Sequence, residues 1–174
     1  ILVESETTSI VVDTTPDFRY QMLRTGTIKM DAVLITHPHK DHIAGLDDIR
    51  AFNFFQKQSM NVYANELTQK ALQKEFSYIF AEHKYPGIPD ITLCDIPVTA
   101  IKVWHLNMPV LGFRFGNFTY ITDANRIEEK EKEKITGSSI LVLNALRKQK
   151  HISHFNLEEA IDLVQELEVP EAYF

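Results

Sequence analysis

The feature that most constrains the fold is a short apolar segment followed at once by a cluster of histidine and aspartate side chains. Residues 32–36 form a continuous, mainly apolar run of the kind found in buried strands. The next six residues contain the candidate ligands His37, His39, Asp41 and His42. His37 and His39 are two residues apart, so they point to the same side of an extended backbone. Imidazole and carboxylate groups are ligands of zinc, manganese and iron, so the pattern predicts a metal site at the end of a strand. The alternative is a histidine-rich polar loop.

Two further candidate ligands each follow a strand-like run. His105 comes after residues 98–104, and Asp123 comes after residues 118–122. A carboxylate has two oxygens, so Asp123 can bridge two metal ions, and ions ~3.5–4 Å apart can clamp a phosphoryl or acyl group. Alone, His105 suits a surface or core position and Asp123 a helix N-cap. Beside the histidine cluster, both are predicted to be ligands.

A third group of polar residues precedes a predicted helix. One of the two histidines His151 and His154 is expected to steady charge on a substrate or to protonate a leaving group. His154 is the favoured one because it lies nearer the helix start, where Asn156 and Glu159 suit a capping box. Asp13, at the end of an early strand, either orients a ligand histidine or caps a turn.

Charge and cysteine content limit the classes of protein to which this chain can belong. The 174 residues include 24 acidic and 18 basic ones, a net charge of -6, which argues against a large nucleic-acid footprint but not against a small anionic substrate. Cys94 is the sole cysteine, so an internal disulfide is excluded and reducing cytoplasm is expected. Neither an apolar run of ~20 residues nor a signal-peptide pattern is present, which predicts no membrane span. The chain begins and ends in strand-like segments without an initial Met, and we expect a longer protein.

Periodicity predicts an α/β domain over residues 1–174, with much antiparallel pairing, two sheets and outer helices. Gly116 and Asn117 suit a hairpin turn, and Gly26 is expected to end the first helix. Leu46, Ile49, Phe52 and Phe55 recur at helical spacing, and Leu67 and Ile161 are assigned to the apolar faces of the helices predicted at 66–80 and 156–168. Pro97 alone separates two strand-like runs, which predicts that residues are missing from the numbering near 95–97. Strands are predicted at 1–4, 9–13, 32–36, 61–64, 91–96, 98–104, 112–116, 118–122, 139–146 and 169–174, and helices at 17–24, 66–80, 127–135 and 156–168.

The residues 37–42 resemble the H-x-H-x-D-H signature of the metallo-β-lactamase fold superfamily. Residues 109–116, 120–124, 141–146 and 151–155 are similar to the branch that contains the PhnP cyclic phosphodiesterases, and the resemblance covers nearly the whole chain. It implies an αββα sandwich, here shortened at both ends, with two divalent transition metals: zinc or manganese, or else iron.

The resemblance also implies how the ligands are shared. His37, His39 and His105 would hold one ion, Asp41 and His42 the other, and Asp123 would bridge them. His154 would lie near the substrate phosphate, and a further ligand histidine would follow residues 169–174.

The expected function is hydrolysis of a small cyclic or nucleotide-like phosphodiester by a metal-bound hydroxide, with Asp41 and His154 as catalytic residues. The expected partner is therefore a small molecule, and the sequence allows a homodimer. Alternatives are thioester or β-lactam hydrolysis, a tRNA 3′-processing nuclease, and a non-catalytic metal-binding module. Asp123, where the best-known zinc β-lactamases have cysteine, speaks against that class.

Overall fold

The computed structural model describes residues 1–94 and 98–174. The chain divides into two compact units, Ile1–Ile96 and Pro97–Phe174, each with its own sheet. The prediction of missing residues near 95–97 falls outside the described residues.

The first unit is built mainly from parallel strands. Its sheet has the order β1-β2-β3-β4-β5, in which β1 and β2 are antiparallel and each later neighbour is parallel. Parallel neighbours need crossover connections, and helices supply them here. The strands are β1 Leu2–Glu4, β2 Ser9–Val12, β3 Ala32–Leu34, β4 Met60–Tyr63 and β5 Ile91–Cys94. The helices are α1 Phe18–Thr25, α2 Lys40–Ile43, a 3-10 turn Leu46–Ile49, α3 Arg50–Gln56 and α4 Glu66–Glu75.

Local signals set the ends of these helices. Gly26 ends α1 in the left-handed conformation (φ 67°), as predicted, and the Asn65 side chain caps α4 by accepting the Thr68 N–H. Helix α4 is shorter than predicted because Phe76 leaves helical geometry (φ -110°, ψ 43°). Phe76 is nevertheless buried in the turn that follows.

Two side chains assigned to the apolar face of the first unit lie on the surface instead. Phe55 is 73% and Leu67 53% exposed, while Leu46, Ile49 and Phe52 are buried as predicted. Residues three apart fall about 60° short of a full turn at each step, so Phe55, the last of its series, leaves the buried stripe. Leu67 lies in the first turn of α4. The buried core of this unit includes Val11, Phe18, Met30, Val33, Ile35, Ile43, Leu46, Ile49, Met60, Val62, Leu72 and Ile79.

The second unit mixes both kinds of strand pairing. Its sheet has the order β11-β10-β8-β7-β6-β9, with β8, β10 and β11 mutually parallel and β6 to β9 joined by antiparallel pairs. The Gly116–Asn117 hairpin is confirmed, since Phe115 pairs with Phe118 and Gly116 has φ 62°. The strands are β6 Thr99–His105, β7 Met108–Phe115, β8 Phe118–Ile121, β9 Arg126–Ile127, β10 Ile140–Leu143 and β11 Glu171–Tyr173, and the helices are α5 Glu129–Lys132 and α6 Leu157–Glu166.

The helices of the second unit differ in how well the sequence predicted them. Helix α6 has the expected capping box, in which Asn156 and Glu159 exchange side-chain-to-backbone hydrogen bonds. Ile161, assigned to its apolar face, is 39% exposed. The predicted helix 127–135 begins later, because Ile127 pairs with β6 as part of β9. The buried core of this unit includes Ile101, Val103, Val110, Ile121, Ala124, Ile135, Leu141, Leu143, Ala160 and Leu163.

The α/β class with two sheets is confirmed, although parallel pairing is more extensive than predicted. Among the helices of residues 1–94 and 98–174, none combines the length and apolar character needed to cross a membrane.

Candidate metal centre

The first group of candidate ligands begins where β3 ends, in the interior of the parallel sheet. His37 is fully buried, and His39 is extended (φ -66°, ψ 149°) at the start of α2. The ring centroid of His37 lies 4.7 Å from that of His39 and 4.1 Å from that of His42. His37 Nε2 and His39 Nδ1 are 3.2 Å apart. Two ligands ~2.0–2.1 Å from a tetrahedral ion are roughly 3.3 Å apart, so this spacing suits a shared metal as well as a hydrogen bond.

Asp13 supports this group through its contacts with Thr36 and His42. Its carboxylate accepts the Thr36 backbone N–H at 2.9 Å and the Thr36 hydroxyl at 2.9 and 3.0 Å, and it lies 2.8 Å from His42 Nδ1. Asp13 is 5% exposed and has a left-handed backbone (φ 61°), which aspartate tolerates better than most residues. Of the two roles predicted for Asp13, the structure shows the contact with a candidate ligand histidine.

This network fixes which ring nitrogens carry protons. The Thr36 hydroxyl has one hydrogen, which it donates to Asp13, so it can only accept from His37 Nδ1, 2.9 Å away. His42 Nδ1 likewise donates to the Asp13 carboxylate. Both rings, while neutral, therefore keep a lone pair on Nε2, which is the form that binds a metal.

Asp41 lies at the rim of the group. Its side chain is 73% exposed, and its Oδ2 is 3.6 Å from His42 Nε2. The carboxylate therefore lies on the Nε2 side of the His42 ring. An exposed carboxylate can also move to meet an ion or a substrate.

The second group of candidates comes from three separate loops of the second unit. His105 ends β6, Asp123 follows β8 with φ 51°, and His154 lies before α6. One ligand atom from each of these three residues lies within 4.8 Å of the other two, close enough to hold one metal ion. The His154 ring centroid is 4.7 Å from that of His105 and 5.2 Å from that of His151. His154, predicted as a proton donor, thus also lies within reach of an ion held by His105 and Asp123.

Two asparagines that the sequence analysis passed over shape this second group. Asn144, directly after β10, accepts the Ala124 N–H at 2.7 Å and donates to the Ala124 carbonyl at 2.9 Å. It therefore fixes the backbone beside Asp123. Asn125 accepts the Leu106 N–H and donates to the Ile152 carbonyl, and so contacts the neighbouring loops. Their signal in the sequence was weak, since a single asparagine after a strand is common in ordinary turns.

The donor set in both groups fits a divalent transition metal. Neutral imidazole nitrogens with assigned lone pairs and nearby carboxylates are the ligands that zinc, manganese and iron accept. In the first group His37 and His42 are buried while His39 and Asp41 are exposed. In the second group all three candidate side chains are half-buried, with ligand atoms within 4.8 Å of one another.

Comparison with known proteins places the chain in a family. Residues 8–174 match the family model of the β-lactamase superfamily domain. A crystal structure described as a new diphosphatase from the PhnP family is 33% identical, with a TM-score of 0.88 over 99% of this chain and 70% of that one. An octanoyltransferase of Porphyromonas gingivalis is 34% identical over 94% of this chain and 35% of its own length. Exodeoxyribonuclease YycJ of Bacillus anthracis is 29% identical over 67% of this chain and 44% of its own length.

This chain therefore spans less than half of each of those curated relatives. The family match, in contrast, covers almost all of the chain and includes every candidate ligand. The resemblance seen in the sequence is thus confirmed, and the chain belongs to the metallo-β-lactamase superfamily.

Proposed function

We propose that this protein is a metal-dependent hydrolase that cleaves a small cyclic or nucleotide-like phosphodiester. The observation that carries the proposal is the 33% identity, over 99% of this chain, to a diphosphatase of the PhnP family. The exodeoxyribonuclease relative supports it, because both names describe hydrolysis at phosphorus. The octanoyltransferase name describes acyl transfer by a protein of which this chain matches 35%, so a thioester belongs among the test substrates.

The roles follow from the donor atoms. His37, His39, Asp41, His42, His105 and Asp123 would hold the metal ions, shared as the family resemblance implies. When bound, divalent ions would supply an activated water and positive charge toward the phosphoryl oxygens. The Asp13–Thr36 network places the ring protons of His37 and His42 on Nδ1, so that Nε2 of each would be the ligand atom.

The leaving oxygen needs a proton when its bond to phosphorus breaks. In the proposed reaction a water oxygen bonds to phosphorus and its proton passes to solvent, the P–O bond to the leaving group breaks, and protonated His154 donates a proton to the leaving oxygen. The position of His154 beside His105 and Asp123 supports this role. His151, whose Nδ1 lies 3.3 Å from the Ser153 hydroxyl, is directed toward its own loop.

Single-stranded DNA is the second candidate substrate. The exodeoxyribonuclease relative and one feature of the loop that leads to His154 favour it, since Arg147, Lys148 and Lys150 are all exposed there. Such cations suit a phosphate backbone. The net charge of -6 makes a long nucleic-acid footprint less favourable than a small substrate.

A substrate panel tests the proposal. The protein is loaded with manganese or zinc and offered a 2′,3′-cyclic nucleotide, an aryl phosphodiester, a dinucleoside diphosphate, single-stranded DNA, a thioester and a β-lactam. We expect turnover of a small phosphodiester that chelator removes and metal restores. His83→Ala, at an exposed histidine outside both ligand groups, is the control and should keep the wild-type rate. Turnover confined to the thioester or the β-lactam would refute the proposal, as would no turnover at all.

A further inference from the structure

Asn125 links the three loops that present the second group of candidate ligands. Its side-chain oxygen accepts the Leu106 backbone N–H at 2.9 Å, next to His105. Its side-chain nitrogen donates to the Ile152 carbonyl at 3.0 Å, two residues before His154. Its own backbone N–H donates to the Trp104 carbonyl at 2.8 Å. One residue, two positions after Asp123, therefore connects the loops of all three candidates.

The Leu106 contact matters because that residue has an unfavourable backbone conformation. Leu106 lies in the two-residue turn between β6 and β7, directly after His105, and has φ 56°. A side chain with a Cβ is disfavoured in this left-handed region, where glycine is the usual residue. The hydrogen bond from Leu106 to Asn125 holds the turn in this conformation, and with it the end of the strand that carries His105.

The Ile152 contact attaches an exposed position of the loop that precedes α6. Ile152 is 73% exposed, so the apolar core does not hold it. A second bond, from the Phe155 N–H to the Ala124 carbonyl at 2.7 Å, attaches the other end of the same short segment. His154 lies between these two attachment points. Both bonds therefore help to set the position of His154 relative to Asp123.

We propose that Asn125 is a positioning residue whose side-chain amide sets both His105 and His154 relative to Asp123. The effect on His154 rests on the function proposed above, whereas the effect on His105 needs only that it binds metal. Removing the amide oxygen should disturb the metal site. Removing the amide N–H alone should disturb His154 and leave His105 in place.

Two substitutions at Asn125 separate these contacts. Asn125→Ala removes both bonds. Asn125→Asp keeps an acceptor for the Leu106 N–H but places a carboxylate oxygen against the Ile152 carbonyl. The control is Asn117→Ala in the hairpin turn at the start of β8, the opposite end of the strand from Asp123. Cobalt(II) affinity, followed by its visible absorption, reports the metal site without any substrate, and kcat and KM report the reaction.

We expect Asn125→Ala to bind cobalt ~10–100-fold more weakly, the usual effect of losing a residue that supports a ligand. Asn125→Asp should bind cobalt within about threefold of wild type but lower kcat about tenfold with KM little changed. Adding Leu106→Gly to Asn125→Ala should recover most of the cobalt affinity, because glycine adopts the left-handed conformation unaided. Asn125→Ser loses the same two bonds and replaces Asn125→Ala if that variant does not fold.

Cobalt affinities within about twofold of wild type in both the Ala and Ser variants would overturn the proposal. So would an affinity loss that Leu106→Gly does not recover. If the wild type binds cobalt but hydrolyses no phosphodiester, the proposed function fails, while the order of cobalt affinities still decides the role of Asn125.

Discussion

The two groups of candidate ligands are assembled in different ways. In the first unit, His37, His39, Asp41 and His42 come from six consecutive residues at the end of one buried strand. In the second unit, His105, Asp123 and His154 come from three loops that are up to 49 residues apart in sequence. A contiguous group is positioned by the local path of the backbone, while a dispersed group depends on contacts between loops.

The supporting residues differ accordingly. Asp13 acts on side chains: it bonds one imidazole directly and another through the Thr36 hydroxyl, and so sets the proton positions. Asn144 and Asn125 act on backbone, holding Ala124 and the neighbouring loops by amide hydrogen bonds. Substituting Asp13 should therefore change which ring nitrogens of the ligand histidines carry protons. Substituting Asn144 or Asn125 should instead shift the loops and so the positions of the ligands.

The largest expected effect is the loss of a ligand from either group. His37→Ala and Asp123→Ala should each remove bound metal and activity together, because each deletes a proposed metal ligand. Metal content by mass spectrometry and the hydrolysis rate are measured on the same samples. Activity within about tenfold of wild type in either variant would contradict the assignment of that residue.

The next effect separates a proton donor from a ligand within the second group. His154→Ala should keep the metal and lower kcat by ~10²–10⁴-fold, the range for a general acid. A substrate with an acidic leaving group, such as p-nitrophenol, should lose much less, since that oxygen leaves without a proton. Loss of metal from this variant would instead make His154 a ligand, as its distance to His105 and Asp123 also permits.

A third, smaller effect concerns the support in the first group. Asp13→Asn keeps the size and tolerates the left-handed backbone (φ 61°), but its amide cannot accept from the Thr36 N–H, the Thr36 hydroxyl and His42 at once. We expect metal affinity to fall ~10–100-fold, with the fold intact by circular dichroism. Asp31→Asn, at a carboxylate that bonds Ser9 and Lys29 on another side of the same unit, is the control. Equal metal affinity in the two variants would show that Asp13 is not needed to orient the histidines.

The same contrast explains what the sequence could reveal. The H-x-H-x-D-H run was recognisable because its spacing alone brings the side chains to one strand end. His105 and Asp123 were found because each follows an apolar run, a signal that became useful only beside the first group. Asn125 was missed, since its role depends on which loops the fold brings together, and no spacing encodes that.

Fold prediction failed for a similar reason at particular positions. The capping box of α6 and the glycine that ends α1 are local signals, and both were found. The pairing of Ile127 with β6, which shortens the predicted helix 127–135, is a contact with a strand more than twenty residues away. The largely parallel pairing in the first sheet also depends on such distant contacts.

The smallest expected effect tests an outer support of the first unit, beyond the ligands themselves. Tyr78 donates a hydrogen bond of 2.7 Å to Asp47, in the 3-10 turn after the histidine motif, and Asp47 also pairs with Arg50 at 3.2 Å. Partial burial and the bond to Asp47 raise the pKa of Tyr78 from 10.0 to about 12. Between these two values the folded protein keeps a proton that the unfolded chain loses, so the stabilisation is complete below pH 10 and is lost as the pH rises toward 12.

Tyr78→Phe should lower the free energy of unfolding by about 0.5 kcal/mol at neutral pH, the low end for a hydrogen bond because Tyr78 is 41% exposed. Urea unfolding of wild type and variant from neutral pH to pH 11.5 measures the difference, which should shrink above pH 10, with Tyr85→Phe at an exposed tyrosine as the control. A difference that stays constant with pH would show that the contact with Asp47 does not raise the pKa of the Tyr78 hydroxyl.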